Sequence, residues 1–179
     1  MQEPGTAPVH QPGIAERGPY GRVLLATAKW LAFAGGVIFT GLVIMSLISI
    51  VGRKLFSAPV PGDVEVLQMF AAFASATFFA YCHLMHGEVK VDFFTAHLAE
   101  PKRCFLDAMG SLLVGLVGSL LAWRTWAGAM SLKEGGESSA ILEIPVWIAQ
   151  ALMVPSFILL ALAGFYMCVQ TWKQRGTSS

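Results

Sequence analysis

The sequence predicts an all-α membrane protein with four transmembrane helices and a short cytoplasmic interfacial helix between the second and third. The 179-residue chain is 55% hydrophobic and only 13% charged, whereas soluble domains usually carry about 25% charged residues. Four apolar segments are also long enough to cross the ~30 Å hydrocarbon layer, which takes about 20 helical residues. A net charge of +1 offers no basic face, so nucleic acid is not an expected partner.

The order of segments gives the domain organisation. Residues 1–21 are rich in Pro and Gly and are predicted to be a disordered cytoplasmic tail, without the features of a signal peptide. A four-helix transmembrane domain is expected over residues 22–173, and residues 174–179 form a second cytoplasmic tail. The four spans of the transmembrane domain are predicted at about 26–52, 64–86, 105–126 and 144–172.

Charge and aromatic residues mark the ends of these spans. Asp107 lies in the first turn of the third span, and Arg124 follows that span, where its side chain can reach the headgroups. The fourth span has no charge and contains Pro155, which predicts a kink. All five tryptophans fall near span ends, as in an aromatic belt: Trp30, Trp123, Trp126, Trp147 and Trp172.

The distribution of Lys and Arg predicts the orientation. With four spans both termini lie on one side, and that side carries eight basic residues: Arg17, Arg22, Lys29, Lys90, Lys102, Arg103, Lys173 and Arg175. The other side carries four: Arg53, Lys54, Arg124 and Lys133. The positive-inside rule then places both termini of this multi-pass protein in the cytoplasm. The first and third connections face outward.

The stretch "YCHLMHGEVKVDFF", residues 81–94, is the one candidate for a metal or haem site. His83 and His86 are one turn apart on the same helix end, and no other span contains a histidine, whereas haem in a bundle is held from different helices. Cys82 and His83 are adjacent and point about 100° apart, which does not suit a zinc tetrahedron. We therefore predict that this stretch is the amphipathic end of the second span, where the helix leaves the membrane, and that it holds no cofactor and no metal. A haem- or metal-binding membrane protein is kept as an alternative.

The segment after that exit can form the interfacial helix. Asp92 can cap a helix over Phe93 to Glu100, which Pro101 would end. Its apolar face would lie against membrane lipids.

Small residues dominate the faces of the spans, whereas ionisable groups are missing from their middles. Such faces allow close helix packing: Ala32, Gly36 and Thr40 in the first span, Ala72, Ala76 and Ala80 in the second, and Ser111, Gly115 and Ser119 in the third, with Gly118 and Ala122 beside them. A carrier places ionisable groups near the bilayer midplane, and intramembrane enzymes need Ser-His or paired Asp residues there. The residues alone therefore predict an accessory membrane subunit and not an enzyme.

The polar residues between the spans form a pattern of three segments, "GRKLFSAPVPGDVEVLQMF", "HGEVKVDFF" and "ESSAILEIPVWIAQ", in this order. The residues of this pattern are Arg53, Gly62, Glu65, Gly87, Val91, Asp92, Pro145 and Trp147. Over residues 24–173 the chain thereby resembles the small membrane subunit of TRAP (tripartite ATP-independent periplasmic) transporters, the DctQ-like family, although Glu88 stands where the family often has His.

The resemblance implies a scaffold in the bacterial inner membrane, beside a large membrane subunit that carries the substrate and sodium sites. A periplasmic binding protein would deliver an organic acid. Within that picture Arg53 and Glu65 are expected to pair across the first outward loop, and Lys133, Glu134 and Glu137 to face the binding protein. The small subunit of another tripartite carrier system remains the second alternative.

Overall fold

Four long helices make up the described part of the chain in the computed structural model. It describes residues 19–57, 60–85 and 100–177, with the backbone alone for 100–104 and 173–177. The helices are α1 (Pro19–Phe56), α2 (Asp63–Leu84), α3 (Glu100–Gly135) and α4 (Val146–Thr177). Each contains a stretch long and apolar enough to cross a membrane: Pro19–Phe56, Asp63–Leu84, Phe105–Gly135 and Val146–Trp172. For the described residues, the prediction of an all-helical fold with four helices long and apolar enough to cross a membrane is confirmed.

Two helix ends differ from the sequence-based expectations. α1 begins at Pro19, inside the segment expected to be a tail. α3 extends over Glu100–Gly135, so Pro101 lies in its first described turn, and the expectation that Pro101 ends a preceding helix stays a prediction. Proline fits there because the first amides of a helix have no partner within the helix. The interfacial helix itself was predicted over residues 93–100, of which 93–99 lie outside the described residues.

The helices are arranged in the spatial order α1, α2, α4, α3. The contact between α3 and α4 is the most extensive, followed by those of α1 with α2 and of α2 with α4, whereas α1 and α4 touch only slightly. The chain therefore forms two helical hairpins, α1–α2 and α3–α4, which meet along α2 and α4. The end of the bundle that carries the α1–α2 and α3–α4 connections is called the loop end below.

Glycines bring the helices of each hairpin close together. A Cβ added at Gly35 of α1 would lie 1.9 Å from Thr77 Oγ1 of α2. In the other hairpin, a Cβ at Gly164 would lie 2.4 Å from the backbone nitrogen of Gly115, and a Cβ at Gly118 would lie 2.8 Å from that of Ala161. Gly35, Gly118 and Gly164 thus pack within the chain, as small residues at close helix contacts do.

The seam of α1, which is the row of its buried residues, follows a seven-residue spacing and not the predicted four-residue spacing. Its buried residues are Gly21, Ala28, Ala32, Gly35, Leu42 and Ser49, so all of them except Ala32, five residues, recur every seven positions. A seven-residue repeat keeps a face against its neighbour when helices cross at about 20°. Gly36, placed on the seam by the four-residue spacing, is only partly buried, and Thr40 is exposed.

Candidate functional site at the loop end

The α3–α4 connection is an ordered hairpin-like loop. Ser138 and Pro145 form an isolated antiparallel bridge, and the Ser139 amide donates to the Ile144 carbonyl at 2.9 Å. The amide of Val146, the first residue of α4, donates to the Glu137 carbonyl at 3.2 Å. These bonds close the loop on itself, so it can present its own groups to a neighbour in a fixed position.

The neighbour is Glu65, in the first turn of α2. The Ser139 hydroxyl and the amide of Leu142 donate hydrogen bonds to one oxygen of its carboxylate, the latter at 3.2 Å, and the amide of Ile141 donates to the other at 2.9 Å. Two backbone amides and a hydroxyl are thus satisfied by one anion, and hydrogen bonds to a charged acceptor are the stronger kind. Glu65 therefore joins the two hairpins at the loop end.

Gly62, directly before α2, completes this contact. Its φ of 75° is in the left-handed region, which glycine adopts without steric cost. A Cβ at this position would also lie 2.6 Å from Cγ of Leu142. Gly62 is therefore needed for both its conformation and its lack of a side chain. The contacts of Gly62 and Glu65 with the α3–α4 loop are called the loop clamp below.

Arg53 does not pair with Glu65, because its partner is Asp63. The two side chains approach to 3.4 Å, and the same Asp63 carboxylate accepts a hydrogen bond from the hydroxyl of Ser49. Ser49 is fully buried and its oxygen also accepts the Val60 amide at 3.4 Å. The predicted Arg53–Glu65 pair is wrong since the α3–α4 loop already occupies Glu65, and the pair that forms ties α1 to the start of α2.

Pro145 and Trp147 lie where the α3–α4 loop enters α4. Pro145 accepts the Ile148 amide at 3.2 Å through its carbonyl, and proline suits a helix start because it has no amide hydrogen to satisfy. Trp147 is half-buried, and Lys133 Nζ of α3 lies 5.1 Å from the centroid of its ring. This cation–π contact links the last turn of α3 to the first turn of α4.

The remaining predicted residues fall elsewhere. Gly87, Val91 and Asp92 lie outside the described residues. At the opposite end from the loop clamp, His83 is 5% exposed and Cys82 is exposed. Within the described ranges no group of three or more His, Cys, Asp or Glu side chains is placed to hold a metal ion.

Sequence reasoning named Gly62 and Glu65 but missed the residues that contact them. Ser139 and Leu142 are more than 70 positions away from Glu65 along the chain. Their segment, "SSAIL", has no periodicity that indicates a partner. The run of two serines between acidic residues was the only available sign that hydroxyl donors lie close to a carboxylate.

The fold and the loop clamp define a multi-pass helical membrane protein whose polar contacts hold its own helices together. A family model described as "Tripartite ATP-independent periplasmic transporters, DctQ component" matches residues 42–174, and the chain belongs to this family. It is thus the small membrane subunit of a TRAP transporter, and the family prediction made from the inter-span residues is confirmed. A search of curated proteins and a search of solved structures gave no match.

Proposed function

We propose that this subunit is a fixed scaffold for the large membrane subunit of its transporter. In this proposal the large subunit carries out ion-coupled uptake, with sodium as the ion, of an organic acid that a periplasmic binding protein delivers. Membership of a tripartite transporter family supports the choice of partners. The middles of the four spans contain no Asp, Glu, Lys, Arg or His, which supports placing the substrate and ion sites on the other subunit.

The loop clamp is the observation that carries the scaffold role. Two helical hairpins in a membrane can slide or rotate against each other when only apolar contacts join them. Here the Glu65 carboxylate holds three donors of the α3–α4 loop, and Leu142 covers Gly62. A clamp at one end and packed helices below it make the two hairpins one body, which is what a static support requires.

The orientation proposed from the basic residues places the loop end in the periplasm. Lys133, Glu134 and Glu137 are exposed there, within reach of a docked binding protein. Reversing Glu134 and Glu137 to Lys is expected to slow association with the binding protein, since charge complementarity acts mainly on the encounter rate. An association rate equal to that of the unchanged transporter would argue against this docking face.

Co-purification from native membranes tests the proposal. With a C-terminal tag and mild detergent, mass spectrometry is expected to identify a large multi-span protein in near-equal amount. Recovery of the small chain alone, or a preparation with a haem absorption band, would contradict the scaffold role. Uptake of dicarboxylates or sugar acids by vesicles containing all three components, with and without a sodium gradient, then tests substrate class and coupling.

The variant Glu65→Gln tests the clamp within this assay. An amide keeps one acceptor but loses the charge and turns an NH2 group toward donors, so part of the α3–α4 loop is released. We expect less large subunit per tagged chain. Glu134→Gln is the matched control, because Glu134 is exposed and belongs to the same end of the bundle. Equal yields from the two variants would show that assembly does not need the clamp.

A further inference from the structure

A crevice of about 270 Å³ opens between α2, α3 and α4, on the bundle side below the loop clamp. It is lined by Gln68 and Ala72 of α2, Thr125 of α3, and Gln150 and Met153 of α4. Three helices each contribute one uncharged polar side chain to it. No charged side chain lines it. None of these polar groups takes part in the hydrogen bonds of the loop clamp.

The polar groups of the crevice make no hydrogen bond to any part of the chain that the structure describes. Thr125 lacks the bond to its own helix that Thr40 makes to Gly36 and Thr77 makes to Ala74. The amide of Gln150 is given its space by Gly128, where a Cβ would lie 2.4 Å from Nε2. Gln68 is exposed, and Thr125 and Gln150 are half-buried, so their donors and acceptors are open to a partner from outside the chain.

The depth of the crevice indicates what that partner is. Asp107 and Arg124 bound the uncharged stretch of α3, and their 17-residue separation spans about 26 Å at 1.5 Å per residue, close to the thickness of the hydrocarbon layer. Thr125 therefore lies at the edge of that layer, between Trp123 and Trp126. This is the level of the ester and glycerol groups of the lipids on the loop-end side.

We propose that this crevice binds one glycerophospholipid from the leaflet on the loop-end side. The amides of Gln68 and Gln150 and the hydroxyl of Thr125 meet ester, glycerol or phosphate oxygens, and the upper methylene groups lie along Ala72 and Met153. With a volume of about 270 Å³, the crevice takes only the polar part and the upper methylene groups of such a lipid, and the acyl chains continue in the bilayer. Because no charged group lines the crevice, zwitterionic and anionic headgroups are accepted alike.

Native mass spectrometry of the full-length chain, with any subunits that accompany it, tests the proposal. The probes are phosphatidylethanolamine and phosphatidylglycerol with 16- and 18-carbon chains, added to protein in mild detergent. We expect one retained phospholipid per chain with either headgroup. Each polar group contributes about 2- to 3-fold to retention in a membrane setting, so Gln68→Leu, Thr125→Val and Gln150→Leu together reduce it on the order of 20-fold.

A second variant separates the site from the fold. Ala72 is exposed, so Ala72→Phe fills the crevice without disturbing a packed helix face and is expected to abolish retention. The controls are Thr40→Val and Ala127→Phe, two exposed positions that do not line the crevice, and both are expected to retain the lipid. Equal retention by the crevice variants and the controls would overturn the proposal.

Photo-crosslinking in native membranes identifies the occupant directly. With benzoylphenylalanine at position 72, we expect a phospholipid adduct whose yield falls in the triple polar variant. An adduct with a membrane protein in place of a lipid would show that the crevice receives a side chain of a partner subunit, and the lipid proposal would fail.

Discussion

Replacing Gly164 by alanine tests how closely α3 and α4 must approach. The added Cβ would lie 2.4 Å from the nitrogen and 2.6 Å from the Cα of Gly115, and 2.9 Å from the carbonyl oxygen of Ser111. All three atoms belong to the backbone, so no side chain can rotate away. Favourable contacts of this kind begin near about 3.5 Å, and the two helices must therefore separate by roughly 1 Å.

The magnitude of the effect follows from that separation. A gap of about 1 Å removes up to roughly half of the dispersion energy of the atoms that face it. Overpacking of a tight core costs about 1–3 kcal/mol, and the rigid backbone places Gly164→Ala near the upper limit. A loss of about 3 kcal/mol corresponds to a fall in Tm of roughly 6–12 °C for a chain of this size.

Thermal unfolding in mild detergent, followed by tryptophan fluorescence, measures this change. Gly110→Ala is the matched control, because Gly110 is on α3 and a Cβ there meets nothing within 4 Å. Alanine favours helix over glycine, so the control is expected to keep or slightly raise the Tm. The packing argument is refuted if Gly164→Ala unfolds within about 2 °C of Gly110→Ala.

Two further predictions concern the loop end. Gly62→Ala and Gly136→Ala both force alanine into a left-handed conformation at a cost of about 1–2 kcal/mol, but only Gly62 lies against Leu142. Gly62→Ala is therefore expected to lower the free energy of unfolding by at least about 1 kcal/mol more than Gly136→Ala, as measured by thermal unfolding. Equal losses would show that the Leu142 side chain moves away freely. Lys133→Ala removes the cation at 5.1 Å from the Trp147 ring and is expected to lower the free energy of unfolding by about 0.5–1 kcal/mol. Lys133→Arg keeps a cation there and is expected to unfold like the unchanged chain. An equally large loss in the Lys133→Arg variant would contradict the cation–π explanation.

The sequence predicted the helices well because the membrane imposes their length and composition. Four uncharged apolar stretches leave few alternatives to four spanning helices. The seam of α1 was harder to predict. Ala28, Gly35, Leu42 and Ser49 differ in size and polarity, so their seven-residue repeat does not stand out against the many small residues of the same helix.

The contacts of the loop end could be predicted only in part. Gly62 and Glu65 were singled out by the family resemblance, but their partners depend on where the α3–α4 loop lies in space. The sequence also offered two acids, Asp63 and Glu65, to Arg53. The choice was made by tertiary structure, since Ser49 fixes Asp63 beside Arg53, and the α3–α4 loop occupies Glu65. A single sequence carries no local signal for such long-range choices.

Distance measurement between the two hairpins in the working transporter tests the scaffold account most directly. Spin labels at Lys54→Cys and Ala140→Cys, both exposed, would report the separation of the two connections after Cys82, Cys104 and Cys168 are changed to Ser. The account predicts one narrow distance distribution that shifts by no more than about 2 Å when substrate, sodium and binding protein are added. A shift of several ångströms, or a second population, would show that the hairpins move against each other and that the subunit is not a fixed support.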